Sequence, residues 1–201
     1  MQLRKWFSIT SLRLVGIRFK IEYETAIDWS KPYILCPNHS SILDITALNY
    51  LCPQAFTFMG KEELLKNPIT RIFFKSVDIP VNRTSKISSF KAYKRASQLL
   101  QEGRSVVIFP EGKIDDQYPP ILQKFKPGAF RMAINNHIPI LPIVIHNAWE
   151  IMWDDGKKYG SKPGIIQITI LAPIHPDSIE KLDHQAVEAT VFEKMNRIWR
   201  K

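Results

Sequence analysis

Only two cysteines, Cys36 and Cys52, occur among the 201 residues of the chain. Their spacing matches no zinc-binding or redox motif, which argues against a structural zinc site and against a thiol–disulfide enzyme. We interpret both as reduced thiols in a protein that faces the cytosol, and a disulfide between them remains the alternative. We expect no bound metal and no cofactor.

Long apolar runs are also lacking. A membrane-spanning helix needs ~20 predominantly apolar residues, but Arg13 and Arg18 interrupt the N-terminal stretch "MQLRKWFSITSLRLVGIRFK". The absence of a small-residue cleavage site argues against a signal peptide. We predict an amphipathic helix over residues 1–20, which either lies on an anionic membrane surface or packs against the core. Its apolar arc contains Leu3, Trp6, Phe7, Leu14 and Ile17.

The chain contains no low-complexity tract, no internal repeat and no Gly/Ser-rich linker that would separate domains. Its length, with 45% hydrophobic residues, is enough for one domain with a full core. We therefore predict a single domain over residues 1–201. Its motif-bearing core covers about 21–175, and a C-terminal helix covers about 183–200.

Short β-rich runs alternate with helical patterns. The predicted strands are Tyr33–Cys36, Phe56–Met59, Ser105–Phe109, Pro139–Ile145 and Ile165–Leu171. The predicted helices are 42–51, 61–75 (one helix or two, because of Pro68) and 85–103. This alternation predicts an α/β domain with a mostly parallel or mixed central sheet flanked by helices.

Two details of these elements can be tested against the structure. In segment 85–103 the predicted apolar stripe consists of Phe90, Tyr93, Ala96 and Leu100. Pro142 interrupts the run "PILPIVI", and a proline inside a strand pattern predicts an edge strand or a bend.

Acidic residues are in the minority. The 28 Lys and Arg residues exceed the 19 Asp and Glu residues, which gives a formal charge of +9. Such an excess favours anionic partners, so a non-catalytic protein that binds anionic membrane or nucleic acid is one hypothesis. The basic residues are scattered rather than gathered in one aromatic-interleaved stripe, which argues against nucleic acid. Examples are Arg4, Lys20, Lys94, Arg104, Lys157 and Arg197.

The stretch "CPNHSSILD" places His39 and Asp44 where an apolar run meets a predicted helix. Within one regular helix, two residues five apart point about 140° away from each other. The two side chains can therefore meet only if His39 precedes the helix, for which Ser40 and Ser41 are candidate N-caps. Such a pair is suited to general-base catalysis, whereas the structural alternative is a strand-end histidine and a helix-start aspartate.

Two further segments carry polar residues that suit a binding site. In "FPEGKIDD" a tight turn holds Glu111 at a strand exit, where the carboxylate could accept from a hydroxyl and the Gly112 N–H could face an oxyanion. In "KSVDIPVNRTSK", Arg83 could bind phosphate, and a solvated basic loop is the structural alternative. A serine hydrolase is disfavoured because no Gly-x-Ser-x-Gly elbow is present.

In order and spacing, four segments resemble the blocks of the glycerophospholipid acyltransferase family, in particular its bacterial 1-acylglycerol-3-phosphate acyltransferases. "NHSSILD" is similar to the Asn-His-x4-Asp block, "FPEG" to the start of the third and "ILPIVI" to the fourth. "GKEELLKNPITRIFFKSVDIPVNR" resembles the stretch that leads into the second block and includes it. The resemblance covers about residues 14–171.

The resemblance implies transfer of an acyl chain from acyl-CoA or acyl carrier protein to the hydroxyl of a lysophosphatidate. By the same resemblance His39 is the general base and Asp44 its partner. Arg83, with Lys61, is expected to hold the acceptor phosphate. Substrate contacts are also expected from Asn38, Glu111, Gly112 and Lys113.

One departure from the family pattern concerns the third block, where Lys113-Ile114-Asp115 replaces the usual Thr-Arg-Ser. Lys113 or Lys126 could supply the charge, but a lysine lacks the paired donors of arginine. Another lysolipid, such as an amino-acid lipid, is therefore an alternative acceptor. We expect peripheral attachment to the cytoplasmic face of the membrane through Trp6, Phe7 and nearby basic residues.

Overall fold

A computed structural model describes residues 2–66, 68–114, 116–179 and 183–199, without the side chains of residues 2, 3, 68 and 69. These residues form one seven-stranded sheet in the order β1-β7-β6-β2-β5-β3-β4. The strands are β1 (Ile17–Tyr23), β2 (Ile34–Pro37), β3 (Phe56–Lys61), β4 (Ile79–Val81), β5 (Ser105–Val107), β6 (Ile140–Ile145) and β7 (Gly164–Ile170).

Helices connect and cover the strands. In the described part of the chain they are α1 (Gln2–Leu14), α2 (Leu43–Leu51), α3 (Pro68–Ser76), α4 (Lys86–Gln101), α5 (Gly128–Asn136), α6 (Ala148–Ile151) and α7 (His184–Trp199). A 3₁₀ turn, Glu62–Lys66, precedes α3, so the segment 61–75 is divided near Pro68. No helix among the described residues has both the length and the apolar composition to cross a bilayer.

The sheet is mixed. Strands β6, β2, β5, β3 and β4 run parallel to one another, whereas β7 is antiparallel to β6 and β1 is parallel to β7. The prediction of a single α/β domain around a mostly parallel sheet flanked by helices is confirmed. Because β2 and β5 are parallel neighbours, the segments that follow them reach the same edge of the sheet.

The core has two layers, one on each face of the sheet. Along β6, Ile143 contributes to one apolar cluster and Val144 to the other, as the two-residue period of a strand requires. Leu12 of α1 and Leu48 of α2 belong to the first cluster. The second contains Ala96 of α4 together with residues of α5 and α7.

The N-terminal helix is shorter than predicted. It ends at Leu14 rather than near residue 20, because Gly16 adopts φ +73° and the chain turns into β1. Residues 17–23 alternate between apolar and polar, a two-residue period that indicates a strand and that the helical projection overlooked. Leu3 of the predicted arc lies outside the described side chains.

Pro142 does not lie in an edge strand, since β6 is flanked by β2 and β7. The strand tolerates proline because the β6–β7 pairing contains a bulge. Ile143 pairs with Ile170, and Ile140 pairs with Ile174. The two pairs are therefore three residues apart on β6 but four residues apart on the opposite segment. The Pro142 carbonyl accepts from the Leu171 N–H at 3.0 Å. A bulge is one of the few places where a strand accommodates proline.

The buried stripe of α4 also differs from the prediction. Ala92, Ala96, Leu99 and Leu100 are the buried residues, whereas Phe90 is 68% exposed. The predicted stripe is therefore wrong at Phe90. Helix α7 covers His184–Trp199 of the range predicted at 183–200, and Arg200 lies outside the described residues.

Candidate functional site

His39 and Asp44 are in contact at the end of β2. His39 Nδ1 lies 3.0 Å from Asp44 Oδ2, with the Asp44 side chain fully buried and the His39 side chain 17% exposed. The contact forms because α2 begins at Leu43, so His39 precedes the helix and folds back over its first turn. A carboxylate at Nδ1 favours the tautomer with a proton there, which leaves Nε2 as an acceptor.

Asp44 also organises the segment between the two residues. The main-chain N–H groups of Ser40 and Ser41 donate to the same Oδ2 at 2.8 and 2.9 Å. These bonds fix the approach of the chain to α2 and offset the cost of burying the carboxylate. The Ser41 hydroxyl accepts from the Leu43 N–H, but the N-cap of α2 is Ile42, so the prediction of Ser40 or Ser41 as N-cap is wrong.

An aromatic wall holds the imidazole from the other side. The His39 ring stacks on Phe109 with centroids 4.0 Å apart and an interplanar angle of 24°. Phe109 stacks in turn with Phe58 at 6.4 Å. The ring is thereby fixed by a hydrogen bond at Nδ1 and by packing on one face, which pre-organises a proton acceptor.

His39 opens into a groove of about 1270 Å³ between α1, α2 and α3. Most of the lining side chains are apolar, and they include Trp6, Phe7, Leu12, Ile42, Phe58, Ile72 and Phe109. A groove of this size and composition suits a ligand with a long hydrocarbon chain.

Three predicted cationic residues lie on the groove: Lys61, Arg83 and Lys113 line it, and their side chains are exposed. The pKa of the Arg83 guanidinium is lowered by desolvation, and the carboxylate of Glu63 offsets only part of this effect. The guanidinium stays charged. Cations around a mostly apolar groove suit an amphiphile with an anionic head group.

Glu111 does not face the groove as predicted. Its carboxylate is buried and accepts the main-chain N–H groups of His39 at 2.6 Å and Gln123 at 2.8 Å. The reason is the pairing of β2 with β5, which brings the turn after β5 against the segment after β2. Glu111 therefore positions the backbone of His39, and its contact with substrate stays a prediction.

Gly112 lines the groove, but its N–H does not point into it as an oxyanion donor. That N–H donates to the Phe109 carbonyl at 3.1 Å, which closes the turn. A glycine is needed because φ is +81° and because a Cβ would lie 3.0 Å from the Lys126 ammonium and its neighbouring carbon. Lys126 thus reaches the turn in which the family's third-block arginine is missing.

Asn38 is likewise not at the groove, in contrast to its predicted role in substrate binding. Both polar atoms of its side chain bond to Ile145: Nδ2 donates to the carbonyl at 3.1 Å and Oδ1 accepts the N–H at 2.7 Å. These bonds fasten the exit of β2 to the end of β6. The sequence contained no signal for this, since the partner is a main-chain group 107 residues away.

The serines and cysteines are not placed as nucleophiles. Ser40 and Ser41 are buried and do not line the groove, and the Ser41 hydroxyl donates to the Met152 carbonyl. Both cysteines are free and buried; burial raises the pKa of the Cys52 thiol to about 12 and raises that of Cys36 as well. High thiol pKa values disfavour the thiolate that a nucleophile requires.

One feature of the groove was missed in the sequence. Arg4 of α1 is buried and contacts both carboxylate oxygens of Asp78 at 3.1 Å, and both residues line the groove. The guanidinium also lies over the rings of Phe56 and Phe58, 4.7 and 5.0 Å from the centroids. In the sequence, Arg4 is only one of several scattered basic residues, and nothing there marks it as buried.

Comparison with known proteins gives several matches. The chain is 26% identical over 192 residues to the human 1-acyl-sn-glycerol-3-phosphate acyltransferase beta, covering 94% of this chain and 68% of that protein. It is 28% identical over 171 residues to the 1-acyl-sn-glycerol-3-phosphate acyltransferase of Saccharomyces cerevisiae, covering 84% of this chain and 55% of that one. The chain thus spans between about half and two thirds of these relatives.

The fold also matches a solved structure. The 1-acyl-sn-glycerophosphate acyltransferase PlsC from Thermotoga maritima superposes with a TM-score of 0.82 at 20% identity, covering 99% of this chain and 78% of that one. The acyltransferase family itself matches residues 18–146, which include the strands β2 to β6 in full. The resemblance inferred from the four blocks is confirmed: this chain belongs to the acyltransferase family.

Proposed function

We propose that this protein transfers a fatty acyl chain from a thioester to the free hydroxyl of 1-acyl-glycerol-3-phosphate, which gives phosphatidate. The thioester is acyl-CoA or an acyl-loaded carrier protein. The observation that carries the proposal is the His39–Asp44 pair at the wall of a large apolar groove with cations around it. The names of the two relatives described above support the same acceptor.

The proposed reaction is a direct transfer with His39 as general base. His39 Nε2 takes the proton of the acceptor hydroxyl as the oxygen attacks the thioester carbonyl carbon. The new C–O ester bond forms, the C–S bond breaks, and the thiolate leaves with the electron pair of that bond. The imidazolium, held by Asp44 at Nδ1, returns the proton to the sulfur, so that a free thiol is released.

Arg83, Lys61 and Lys113 are proposed to hold the acceptor phosphate, with the acyl chains in the apolar part of the groove. Arg83 offers two parallel N–H donors to phosphate oxygens, and the lysines add positive charge. An amino-acid lysolipid is the second candidate acceptor because the third block lacks its arginine. The three cations favour the phosphate-bearing acceptor over it.

We also propose that the protein acts as a peripheral protein at the cytoplasmic face of the membrane. Trp6 and Phe7 of α1 are each 65% exposed and also line the groove. Contact of this helix with the bilayer would bring the groove to its lipid substrate. Exposed apolar side chains next to basic residues are typical of an interfacial helix.

The test is release of thiol from palmitoyl-CoA in the presence of 1-acyl-glycerol-3-phosphate, with phosphatidate measured by mass spectrometry. We expect both products in equal amounts from the unchanged protein. His39→Ala should lower kcat by ~10²–10⁴ because the proton acceptor is gone. The matched control is His175→Ala, which removes an exposed histidine and should leave the rate unchanged.

A His39→Ala protein that still reacts at the original rate would show that the base is assigned wrongly. Equal rates with 1-acyl-glycerol-3-phosphate and with a phosphate-free lysolipid would argue against the proposed role of the three cations. Absence of turnover with every lysolipid would favour the remaining hypothesis, a basic protein that binds anionic surfaces without catalysis.

A further inference from the structure

The outer face of α4 combines apolar and basic side chains. Ile87 is 71% exposed and Phe90 68% exposed, and Lys91 and Lys94 are exposed on the same face. These four residues follow the i, i+3, i+4, i+7 spacing of one helix face, which we call the α4 face. The opposite face of the helix supplies the buried residues Ala92 and Ala96. Nothing in the proposed reaction uses the α4 face.

The surroundings of this face are strongly basic. Between residues 77 and 101 the only acidic residue is Asp78, which is buried and paired with Arg4. The same segment carries five exposed cations: Arg83, Lys86, Lys91, Lys94 and Arg95. No carboxylate of the segment is therefore available to neutralise the α4 face, which leaves a complementary surface for an acidic partner.

A cleft also lies beside this region. It has a volume of about 620 Å³, lies between the end of α3 and the start of α4, and is lined by Lys75, Lys91 and Arg95 among others. Asp78 lines both this cleft and the groove. Arg83, in the loop that leads into α4, lines the groove as well. A partner bound to the α4 face is thus near the edge strand β4, around which Asp78 and Arg83 line the groove.

The α4 face also points away from α1. Residues of α1 and α2 pack on one face of the sheet, whereas α4, α5 and α7 pack on the other. A flat bilayer in contact with Trp6 and Phe7 would therefore leave the α4 face in water. Exposed Ile87 and Phe90 in that position favour a soluble protein partner, because aromatic side chains are enriched in protein interfaces and exposed apolar patches mark interaction sites.

We propose that the α4 face is the docking surface for a small acidic carrier protein that delivers the acyl chain as a thioester. The inference rests on the proposed acyl transfer and adds the identity of the donor and its direction of approach. The carrier binds from the aqueous side through Lys91 and Lys94, and Phe90 contacts an apolar patch between its acidic residues. Its thioester-bearing arm reaches the groove around the edge strand β4, past the exposed Arg83.

The experiment compares two donors: palmitoyl-CoA and a bacterial acyl carrier protein loaded with palmitate. The variant is Lys91→Glu/Lys94→Glu, and its matched control is Arg18→Glu/Lys20→Glu, which makes the same charge change on β1 at the far edge of the sheet. Binding of fluorescently labelled carrier is measured by anisotropy in parallel, so the docking surface is tested whether or not turnover is observed.

With the carrier-linked donor we expect the α4 variant to lose at least about tenfold in kcat/KM and in carrier affinity, since charge reversal removes the electrostatic attraction. With palmitoyl-CoA its kcat/KM should stay within about twofold, and the control should match the unchanged protein with both donors. Phe90→Ala should weaken carrier binding in the same direction without reversing a charge.

Several results would overturn the inference. Equal losses with both donors would indicate a site for the phosphates of CoA, and weaker binding to anionic vesicles alone would indicate a membrane contact. Undiminished carrier binding by the α4 variant would remove the docking surface directly. If no protein turns over either donor but carrier binding depends on Lys91 and Lys94, the proposed reaction fails and the docking surface stands.

Discussion

Asp44 is the residue on which the geometry of the site depends most. One of its carboxylate oxygens accepts from His39 and from two main-chain N–H groups, all within 3.0 Å. The other oxygen is buried without a hydrogen-bond partner among the described residues. The carboxylate therefore holds both the orientation of the imidazole and the turn that leads into α2.

Replacing this carboxylate with an amide tests its role as a positioning group. In Asp44→Asn the imidazolium loses its counter-charge, and in one orientation of the amide the N–H₂ group faces the main-chain N–H donors. We therefore expect kcat to fall by ~10²–10⁴ with KM little changed. The folded state should also lose about 1–3 kcal/mol, because one buried donor is left without an acceptor. Steady-state kinetics and urea unfolding measure the two effects.

Asp177→Asn is the control for this substitution, since it removes an exposed carboxylate that pairs with His137. It should change neither kcat nor stability appreciably. If Asp44→Asn raises KM and leaves kcat intact, the carboxylate contributes to binding rather than to orientation of the base.

At this scale the sequence allowed the contact between His39 and Asp44 to be predicted, because a strand end followed by a helix start brings residues five apart together. It did not reveal what Glu111 and Asn38 do. Their partners are main-chain groups, the N–H of His39 and both polar groups of Ile145. Every residue except proline carries the same main-chain groups, so no side-chain pattern identifies such partners.

Among the elements, α1 is attached to the rest of the molecule by a buried ion pair. Arg4 and Asp78 have side chains that are 8% and 3% exposed, and Asp78 also accepts the Phe58 N–H at 3.0 Å. The pair ties the helix to the start of β4, and the aromatic rings beside the guanidinium limit access of water. This element forms one wall of the groove, so its attachment bears on function.

We expect Arg4→Met to destabilise the fold by about 3–5 kcal/mol, because it leaves a buried carboxylate without its counter-charge. The urea midpoint of unfolding should fall accordingly. Lys20→Met is the control: it breaks an exposed pair with Glu22 and should have little effect. An unchanged midpoint for Arg4→Met would mean that water reaches Asp78 when α1 is in place.

The order of elements was largely predictable, because apolar strand runs and helical stripes alternate clearly. Strands β1 and β4 were missed for different reasons. Strand β1 has an alternating pattern that was assigned to the preceding helix, and β4 has only three residues, too few for periodicity. Pro142 predicted an edge strand or a bend rather than a bulge, because a bulge depends on the partner strand, which the sequence of β6 alone does not specify.

For the molecule as a whole, the main expectation is that the α1 side faces the membrane. Trp6, Phe7, Leu14 and Val15 are exposed there by 58% or more. Full burial of a large apolar side chain contributes about 1.5–3 kcal/mol, so losing even half of that at both positions exceeds the roughly 1.4 kcal/mol of a tenfold change. Trp6→Ser/Phe7→Ser should therefore lower co-sedimentation with phosphatidylglycerol vesicles by at least about tenfold in partition coefficient.

The control for vesicle binding is Ile121→Ser/Ile165→Ser, which removes two apolar side chains that are 52% and 53% exposed elsewhere. It should pellet like the unchanged protein. Equal pelleting of all three proteins would show that α1 does not attach the protein to the membrane. The description of the fold and of the site would be unaffected. The position of α1 relative to the groove could not be predicted, since it depends on strand direction across the sheet.

The direction of β1 makes the groove sensitive to the length of the α1–β1 connection. Because β1 runs against all strands except its parallel neighbour β7, its first residue rather than its last meets the groove, and the left-handed Gly16 passes closely by Pro163. The length of the connection therefore sets the direction in which the side chains of α1 point about the helix axis. One residue inserted after Leu14 would rotate the helix by ~100° about its axis. Arg4 would then point away from Asp78, and Trp6 would no longer face the bilayer.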